Sequence, residues 1–176
     1  DTKTLSGSRT LTNVVGVRAG PSDRRLVIVA SRDGAPGTLA RSGAVETGIL
    51  LELSRVLQGR AFDHTLVLAS VSGGVDGGLG AAELARELRR PVDGVIALRN
   101  VTGAETSGTV LSWFDSRLAI DSRFEHTVRE LASLELGPGG GESSVAGQLV
   151  RLGFPLSLGE HAGYPASGLT AVSLSP

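Results

Sequence analysis

Residues 26–30 read LVIVA, an unbroken apolar run whose three central residues are β-branched. Such a run is typical of a strand buried on both faces, because a strand with one solvated face alternates apolar and polar residues. Residues 65–71 (TLVLASV) and 92–98 (VDGVIAL) are also mostly apolar. Strands of this kind occur in parallel sheets that carry helices on both sides. The three runs therefore predict an α/β protein.

Segments with helical periodicity separate these strands. Residues 44–57 place apolar side chains at helical spacing and end at Gln58-Gly59. Residues 79–90 form a second such segment, which Pro91 stops. Buried strands that alternate with amphipathic helices predict a three-layer α/β sandwich with a mixed, mostly parallel central sheet.

The remaining segments carry weaker patterns. We expect residues 1–9 to be a flexible N-terminal segment and residues 10–176 to form a single domain. Within that domain we expect an edge strand in residues 10–19, strands at 109–114, 154–158 and 169–174, helices at 123–134 and 143–152, and loops at 33–43, 72–78 and 137–141.

The composition excludes several classes of function. The chain of 176 residues has no cysteine, which rules out disulfides, thiolate metal sites and a cysteine nucleophile. A net charge of −1 and 3% aromatic residues are unlike a nucleic-acid-binding surface, so we expect no nucleic-acid partner. The apolar runs are far shorter than the roughly 20 residues of a membrane span, so we expect none in this chain.

Sequence signatures of other enzyme classes are incomplete. No serine lies in a Gly-x-Ser-x-Gly nucleophile elbow, and Lys3 is the only lysine, so a phosphate-binding loop is absent from the sequence. Gly78-Leu79-Gly80 resembles a dinucleotide-binding turn, but Glu83 stands where a third glycine belongs. We expect His64 and His126 to be ordinary surface or interfacial residues.

The order of the segments resembles that of the zinc-dependent aminopeptidases, a family that includes bacterial leucine aminopeptidases, glutamate carboxypeptidase and the transferrin-receptor and nicastrin ectodomains. The resemblance covers about residues 10–160. It is carried by LVIVASRDGAPG (26–37), GILLELSRVLQGR (48–60), HTLVLASVSGGVDGGLGAAELARELR (64–89), VDGVIALRNVTG (92–103) and SSVAGQLVRLGFPLSL (143–158). It implies a zinc-exopeptidase-like, phosphorylase/hydrolase-like fold. In the family, imidazoles and carboxylates hold two zinc ions, and a carboxylic acid takes a proton from the bridging water.

The residues at the corresponding positions of this chain are not zinc ligands. By the resemblance, the first His of the family falls at Ser31, and the Asp that orients it is kept as Asp33. The bridging Asp, the Glu pair, the next Asp and the final His fall at Ser42, Gly74 with Val75, Arg99 and Ala146, respectively. Serine and alanine give no strong zinc bond, and arginine brings positive charge into a site built for dications. We therefore expect that the zinc site is lost and that the chain has no cofactor.

This loss predicts a catalytically inactive zinc-aminopeptidase-like domain with a binding or structural role and a protein or peptide partner. The chain begins at Asp1 without an initiator Met. We interpret it as a fragment of a longer protein, and the resemblance to ectodomains favours the soluble, extracellular part of an exported or membrane-anchored protein, with membrane segments outside this fragment.

Two enzymatic alternatives stay open. One is a hydrolase or peptidase with a rearranged site in the same cleft, at the carboxyl ends of the parallel strands. Its acids, bases and charges would be Asp33, Glu46, Asp76, Arg99 and His161. Each also has an ordinary role, such as loop capping for the two aspartates or a first-turn acid on a helix for Glu46. The other alternative is a truncated active peptidase whose ligands come from another segment.

Overall fold

The computed structural model describes residues 2–4, 7–33, 38–74, 78–88, 91–98, 109–111, 122–136, 164 and 167–175. The elements are β1 (Thr2–Thr4), β2 (Gly7–Arg9), β3 (Val14–Arg18), β4 (Arg25–Ser31), α1 (Thr38–Val56), β5 (Thr65–Val71), α2 (Leu79–Glu87), β6 (Val92–Leu98), β7 (Thr109–Leu111), α3 (Ser122–Leu136) and β8 (Ala171–Ser175). No described helix has the length and apolar character needed to cross a membrane.

A six-stranded sheet in the order β3-β5-β4-β6-β8-β7 forms the centre of the domain. The inner four strands run parallel to one another. The two outer strands, β3 and β7, run antiparallel to their neighbours. The sheet is therefore mixed and mostly parallel, as the apolar runs predict. β1 and β2 pair as a separate two-stranded sheet, and the flexibility expected of residues 1–9 stays a prediction.

Helices cover both faces of the sheet. Val27 and Val29 of β4 pack with Leu84 of α2 on one face, whereas Ala30 packs with Leu50 of α1 on the other. Alternating side chains of one strand thus meet different helices, as the period of a β-strand requires. α3 joins α1 on its face, where the Phe124 ring lies against Gly94 of β6. The three-layer α/β architecture is confirmed.

Two of the strands that are buried on both faces match their predicted bounds, β4 is one residue longer at each end than the predicted 26–30, and the bounds of α1 differ. β5 and β6 occupy residues 65–71 and 92–98 as expected. α1 begins at Thr38, inside the stretch predicted as a loop, so that prediction is wrong there. The misleading signal is Gly43, which reads as a helix breaker. A Cβ at this position would lie 2.6 Å from the carbonyl oxygen of Arg32, so the glycine lets the helix approach β4 closely.

The other predicted segments agree less closely with the structure. α2 ends at Glu87, short of the predicted residue 90, because Leu88 already has an extended backbone. β3, β7 and β8 are found near their predicted places, with β3 at the edge of the sheet. α3 extends slightly beyond residues 123–134. The helix, strand and loop predicted within residues 137–158 lie outside the described residues.

A charged cluster joins the starts of three parallel strands. Arg24 precedes β4, His64 precedes β5, and Asp93 is the second residue of β6. The Arg24 Nε donates to Asp93 Oδ2 at 2.9 Å, and the His64 Nε2 lies 2.7 Å from the same oxygen. These hydrogen bonds, above all those from Arg24, hold the pKa of Asp93 below its ordinary value of 3.8. The carboxylate therefore contributes stability in its charged form.

We predict that Asp93→Asn lowers the free energy of unfolding at neutral pH. Because the folded-state pKa of Asp93 is depressed, its contribution is present above pH 3.8 and is lost as pH falls through the lowered value. The difference between wild type and Asp93→Asn should therefore shrink on acidification. Urea unfolding at several pH values tests this. Arg24→Gln should reproduce most of the loss, and a difference that grows toward acid would contradict the assignment.

Two helical glycines should respond in opposite directions to alanine. A Cβ on Gly80 of α2 would clash with the backbone carbonyl oxygen of Ser72 and lie 2.7 Å from Asn13 Oδ1. A Cβ on Gly48 of α1 would meet nothing within 4 Å. Gly80→Ala should destabilise the fold by about 1–3 kcal/mol. Gly48→Ala should stabilise it by about 0.5–1 kcal/mol, because helical glycine costs conformational entropy. Equal effects in chemical denaturation would refute this packing.

Candidate functional site

The candidate site lies where β4 and β5 end side by side. β4 ends in Ser31, followed by Arg32 and Asp33, and β5 ends in Val71, followed by residues 72–74. The two strands are parallel, and Ser31 is paired with Val71. In open α/β sheets, ligands bind in the crevice beyond the carboxyl ends of the strands. These two segments therefore occupy the expected place for a site.

Asp33 binds the backbone of the neighbouring loop through both carboxylate oxygens. The Gly73 amide donates to Oδ2 at 2.6 Å, and the Gly74 amide donates to Oδ1 at 3.1 Å. The buried Ser31 hydroxyl lies 3.2 Å from the same Oδ1 and 3.0 Å from the Asp33 carbonyl oxygen, to which it can donate. The carboxylate thus joins the ends of β4 and β5 through charge-assisted hydrogen bonds.

The segment before β3 holds the same loop from the other side. The Thr12 amide donates to Ser72 Oγ at 2.9 Å, and the Ser72 hydroxyl lies 3.1 Å from the Thr12 carbonyl oxygen. Asn13 accepts from the Ser72 amide at 3.2 Å and donates to the Gly80 carbonyl oxygen at 2.8 Å. No local sequence pattern marks Thr12 and Asn13, because their partner Ser72 is about 60 residues away in the chain.

Glu46 is a buried carboxylate near this end of the sheet. It is 4% exposed and lies on the face of α1 that also carries Gly43 and Leu50. Gly43 sits against the backbone of Arg32, and Leu50 packs with the side chains at the ends of β4 and β6. Because α1 starts at Thr38, Glu46 is more than two turns inside the helix. The interpretation of Glu46 as a first-turn acid is therefore wrong.

The structure brings together some of the residues that the sequence singles out. Ser31, Asp33 and Gly74 meet at one carboxylate oxygen. Ser42 lies in α1 beside Gly43. Five further candidates lie outside the described residues: Val75, Asp76, Arg99, Ala146 and His161. The clustering expected of the whole set therefore stays a prediction, as does the rearranged acid–base set.

The remaining histidines are surface residues, as expected. His64 is part of the charged cluster at the opposite end of the strands. His126 lies on α3, where its Nδ1 is 3.4 Å from a carboxylate oxygen of Glu130 one turn later.

The described part of the site does not fit a pair of zinc ions. Its only acid among residues 31–33 and 72–74 is Asp33, whose oxygens accept from backbone amides. Ser31 offers a hydroxyl and Gly74 no side chain, whereas zinc is held by imidazole, thiolate or carboxylate. Among the described residues, no three His, Asp or Glu side chains gather in a way that could hold a metal.

Comparison with solved structures identifies the fold. A zinc aminopeptidase from Bacillus subtilis is 16% identical with a TM-score of 0.65, and the match covers 93% of this chain and 39% of that one. Glutaminyl cyclases from Porphyromonas gingivalis (15% identity, TM-score 0.75) and an Acidobacteriales bacterium (12%, 0.73) match 98% of this chain and 64% and 61% of theirs.

No protein-family model matches the chain, and no curated protein matches it. The chain spans 39–64% of the length of the solved structures named above. At such low identities the likeness establishes the fold and no activity. The domain has a zinc-exopeptidase-like α/β fold, the one shared by zinc aminopeptidases and glutaminyl cyclases.

We predict that Asp33→Asn destabilises the fold by about 1–3 kcal/mol. The side-chain NH2 group of the asparagine would face the backbone N–H of Gly73 or Gly74, and two donors cannot form a hydrogen bond with each other. Ser31→Ala removes a single hydroxyl and should cost less, about 0.5–1.5 kcal/mol. Thermal or urea unfolding of both variants tests this order. If Asp33→Asn were as stable as wild type, the carboxylate would not join the two strand ends as described.

Proposed function

We propose that this chain is a non-catalytic domain that keeps the zinc-exopeptidase-like fold and has a binding or structural role. The observation that carries the proposal is the use of Asp33. By the family resemblance this carboxylate would orient a zinc-binding histidine, and Ser31 stands at the histidine's position. Here both carboxylate oxygens accept from the amides of Gly73 and Gly74.

A physical argument supports the loss of metal. In zinc sites, the outer carboxylate fixes the orientation of an imidazole ligand and raises its basicity. The Ser31 side chain is too short to act as that imidazole, and it bonds to Asp33 instead. The carboxylate thereby stabilises the protein's own loop. Because these contacts need no cation, the ends of β4 and β5 can be held together without zinc.

We further propose that the working partner is a protein or peptide and that the domain is part of a larger exported or membrane-anchored protein, on its extracellular side. β5 continues into Gly73 and the partly exposed Gly74, beyond the carboxyl ends of the strands, where open α/β sheets bind their ligands. The net charge of −1 supports a partner other than nucleic acid.

A second candidate function rests on Glu46. A carboxylate that is 4% exposed near the carboxyl end of a parallel sheet is a candidate general acid or base for a rearranged hydrolase or peptidase. Glu46→Gln would abolish such an activity while changing the size of the side chain little. In the non-catalytic domain, the same substitution would change stability alone.

Zinc binding distinguishes these proposals. After incubation with zinc and dialysis, the wild-type chain should contain far less than one zinc per molecule by elemental analysis. It should not hydrolyse aminoacyl anilides or cyclise glutaminyl peptides, with or without added zinc or cobalt. Asp33→Ala is the matched control, because removing the carboxylate that would orient a zinc ligand lowers zinc content only where zinc is bound.

Each other outcome selects a different function. Stoichiometric zinc that Asp33→Ala removes would overturn the non-catalytic proposal and favour the truncated peptidase. Metal-independent hydrolysis that Glu46→Gln abolishes would favour the rearranged site.

A further inference from the structure

β3 exposes an unpaired edge of the sheet. It pairs with β5 on one side, and none of the described strands pairs on its other side. Every second amide and carbonyl of an antiparallel edge strand points away from its neighbour and can bind another strand. β3 therefore presents a row of hydrogen-bonding groups over Val14–Arg18.

The side chains on this edge are apolar and exposed. Val14, Val15 and Val17 are 55%, 41% and 65% exposed, respectively. Natural edge strands are usually protected by charged residues, proline or a bulge. The only charge on β3 is Arg18, and its guanidinium is bound within its own chain. It donates to the carbonyl oxygens of Leu57 and Arg60 and lies 5.2 Å from the centre of the Phe62 ring.

The helices that cover the sheet leave both faces of β3 open. On one face a groove runs between Val15, Val17 and Leu88, the residue that follows α2. On the other face a second groove lies between Gly16 and Leu57, the residue that follows α1. A strand that adds to this edge would thus find room for its side chains on both faces.

We propose that β3 pairs with β3 of a second copy of this chain, antiparallel and around a two-fold axis at Gly16. In this register Val15 lies opposite the partner's Val17, and Val14 opposite the partner's Arg18. The Val15 and Val17 side chains of both copies then lie on the same face of the joined sheet and bury one another. The two-fold axis itself fixes the direction of pairing, because a rotation by 180° about an axis perpendicular to the sheet reverses the strand.

The backbone is compatible with this register. In this register an even-numbered residue always lies opposite an even-numbered residue, and an odd-numbered residue opposite an odd-numbered one. The outward-pointing amides of β3 belong to alternate residues, so they meet the outward-pointing amides of the second copy. Gly16 at the axis carries no side chain, so the strands can approach closely there. The pairing would join two six-stranded sheets into one continuous sheet.

The extent of the contact predicts a reversible dimer. The interface consists of one short strand from each copy, which places it at the small end of specific interfaces. It should therefore dissociate on dilution. Because each copy contributes the same surface, the contact closes at two chains and forms no polymer.

Sedimentation of the wild-type chain over a range of concentrations should show a monomer–dimer equilibrium. Val17→Lys should shift this monomer–dimer equilibrium at least tenfold toward monomer, because the two-fold axis brings the added lysines of the two copies near one another. The site is already exposed, so folding should be unaffected. Leu51→Lys on α1, where the side chain is 67% exposed, is the matched control and should leave the equilibrium unchanged.

Cysteine cross-linking tests the register independently, since the chain has no cysteine of its own. A Cβ on Gly16 would have its nearest neighbour, the Leu68 carbonyl oxygen, at 3.9 Å, so Gly16→Cys fits. Directly opposite residues of antiparallel strands are close enough for a disulfide. Oxidation of Gly16→Cys should give a covalent dimer. Gly48→Cys, equally free of neighbours on α1, should not.

Several results would overturn the proposal. These are a chain that stays monomeric at every concentration, a dimer insensitive to Val17→Lys, assemblies larger than two, or equal cross-linking at positions 16 and 48. A monomer whose edge binds an added apolar β-strand peptide would assign the edge to a different partner, and the second-copy proposal would fail.

Discussion

Burial of β4 on both faces is the constraint that the rest of the domain satisfies. β4 lies between β5 and β6 and is parallel to both. Its side chains alternate between the α1 face and the α2 face, so neither face can be left to water without exposing valine or isoleucine. Both helices run back across the sheet and bring the chain to the start of the next parallel strand. The same geometry places the carboxyl ends of the inner strands together at one end of the strands, where the candidate site lies.

The parts of the fold that follow from this constraint could be read from the sequence. A strand covered on both faces is mostly apolar, so β5 and β6 were located to the residue although they contain Ser70 and Asp93, respectively. The start of α1 could not be located in this way. Gly43 looks like a break in a helix when only its neighbours in sequence are considered. Its role depends on the backbone of Arg32, which approaches it only in the folded state.

The candidate site was predictable in its position and less so in its contacts. Parallel strands must end together, so the proximity of residues 31–33 and 72–74 follows from topology alone. The partners of Asp33 do not follow, because backbone amides are present at every position and carry no sequence signal. The burial of Glu46 likewise depends on where α1 begins. A pattern along the sequence therefore does not predict side-chain contacts to the backbone or packing between distant segments.

Arg18 links two elements that are far apart in the chain. It belongs to the edge strand β3, yet its guanidinium donates to the carbonyl oxygens of Leu57 and Arg60, in the turn that directly follows α1. If β3 separates from β5, both carbonyl groups lose the guanidinium at the same time. The edge strand and the last turn of α1 should therefore open as one cooperative unit, with matching rates of amide hydrogen exchange, while the β4 centre stays closed.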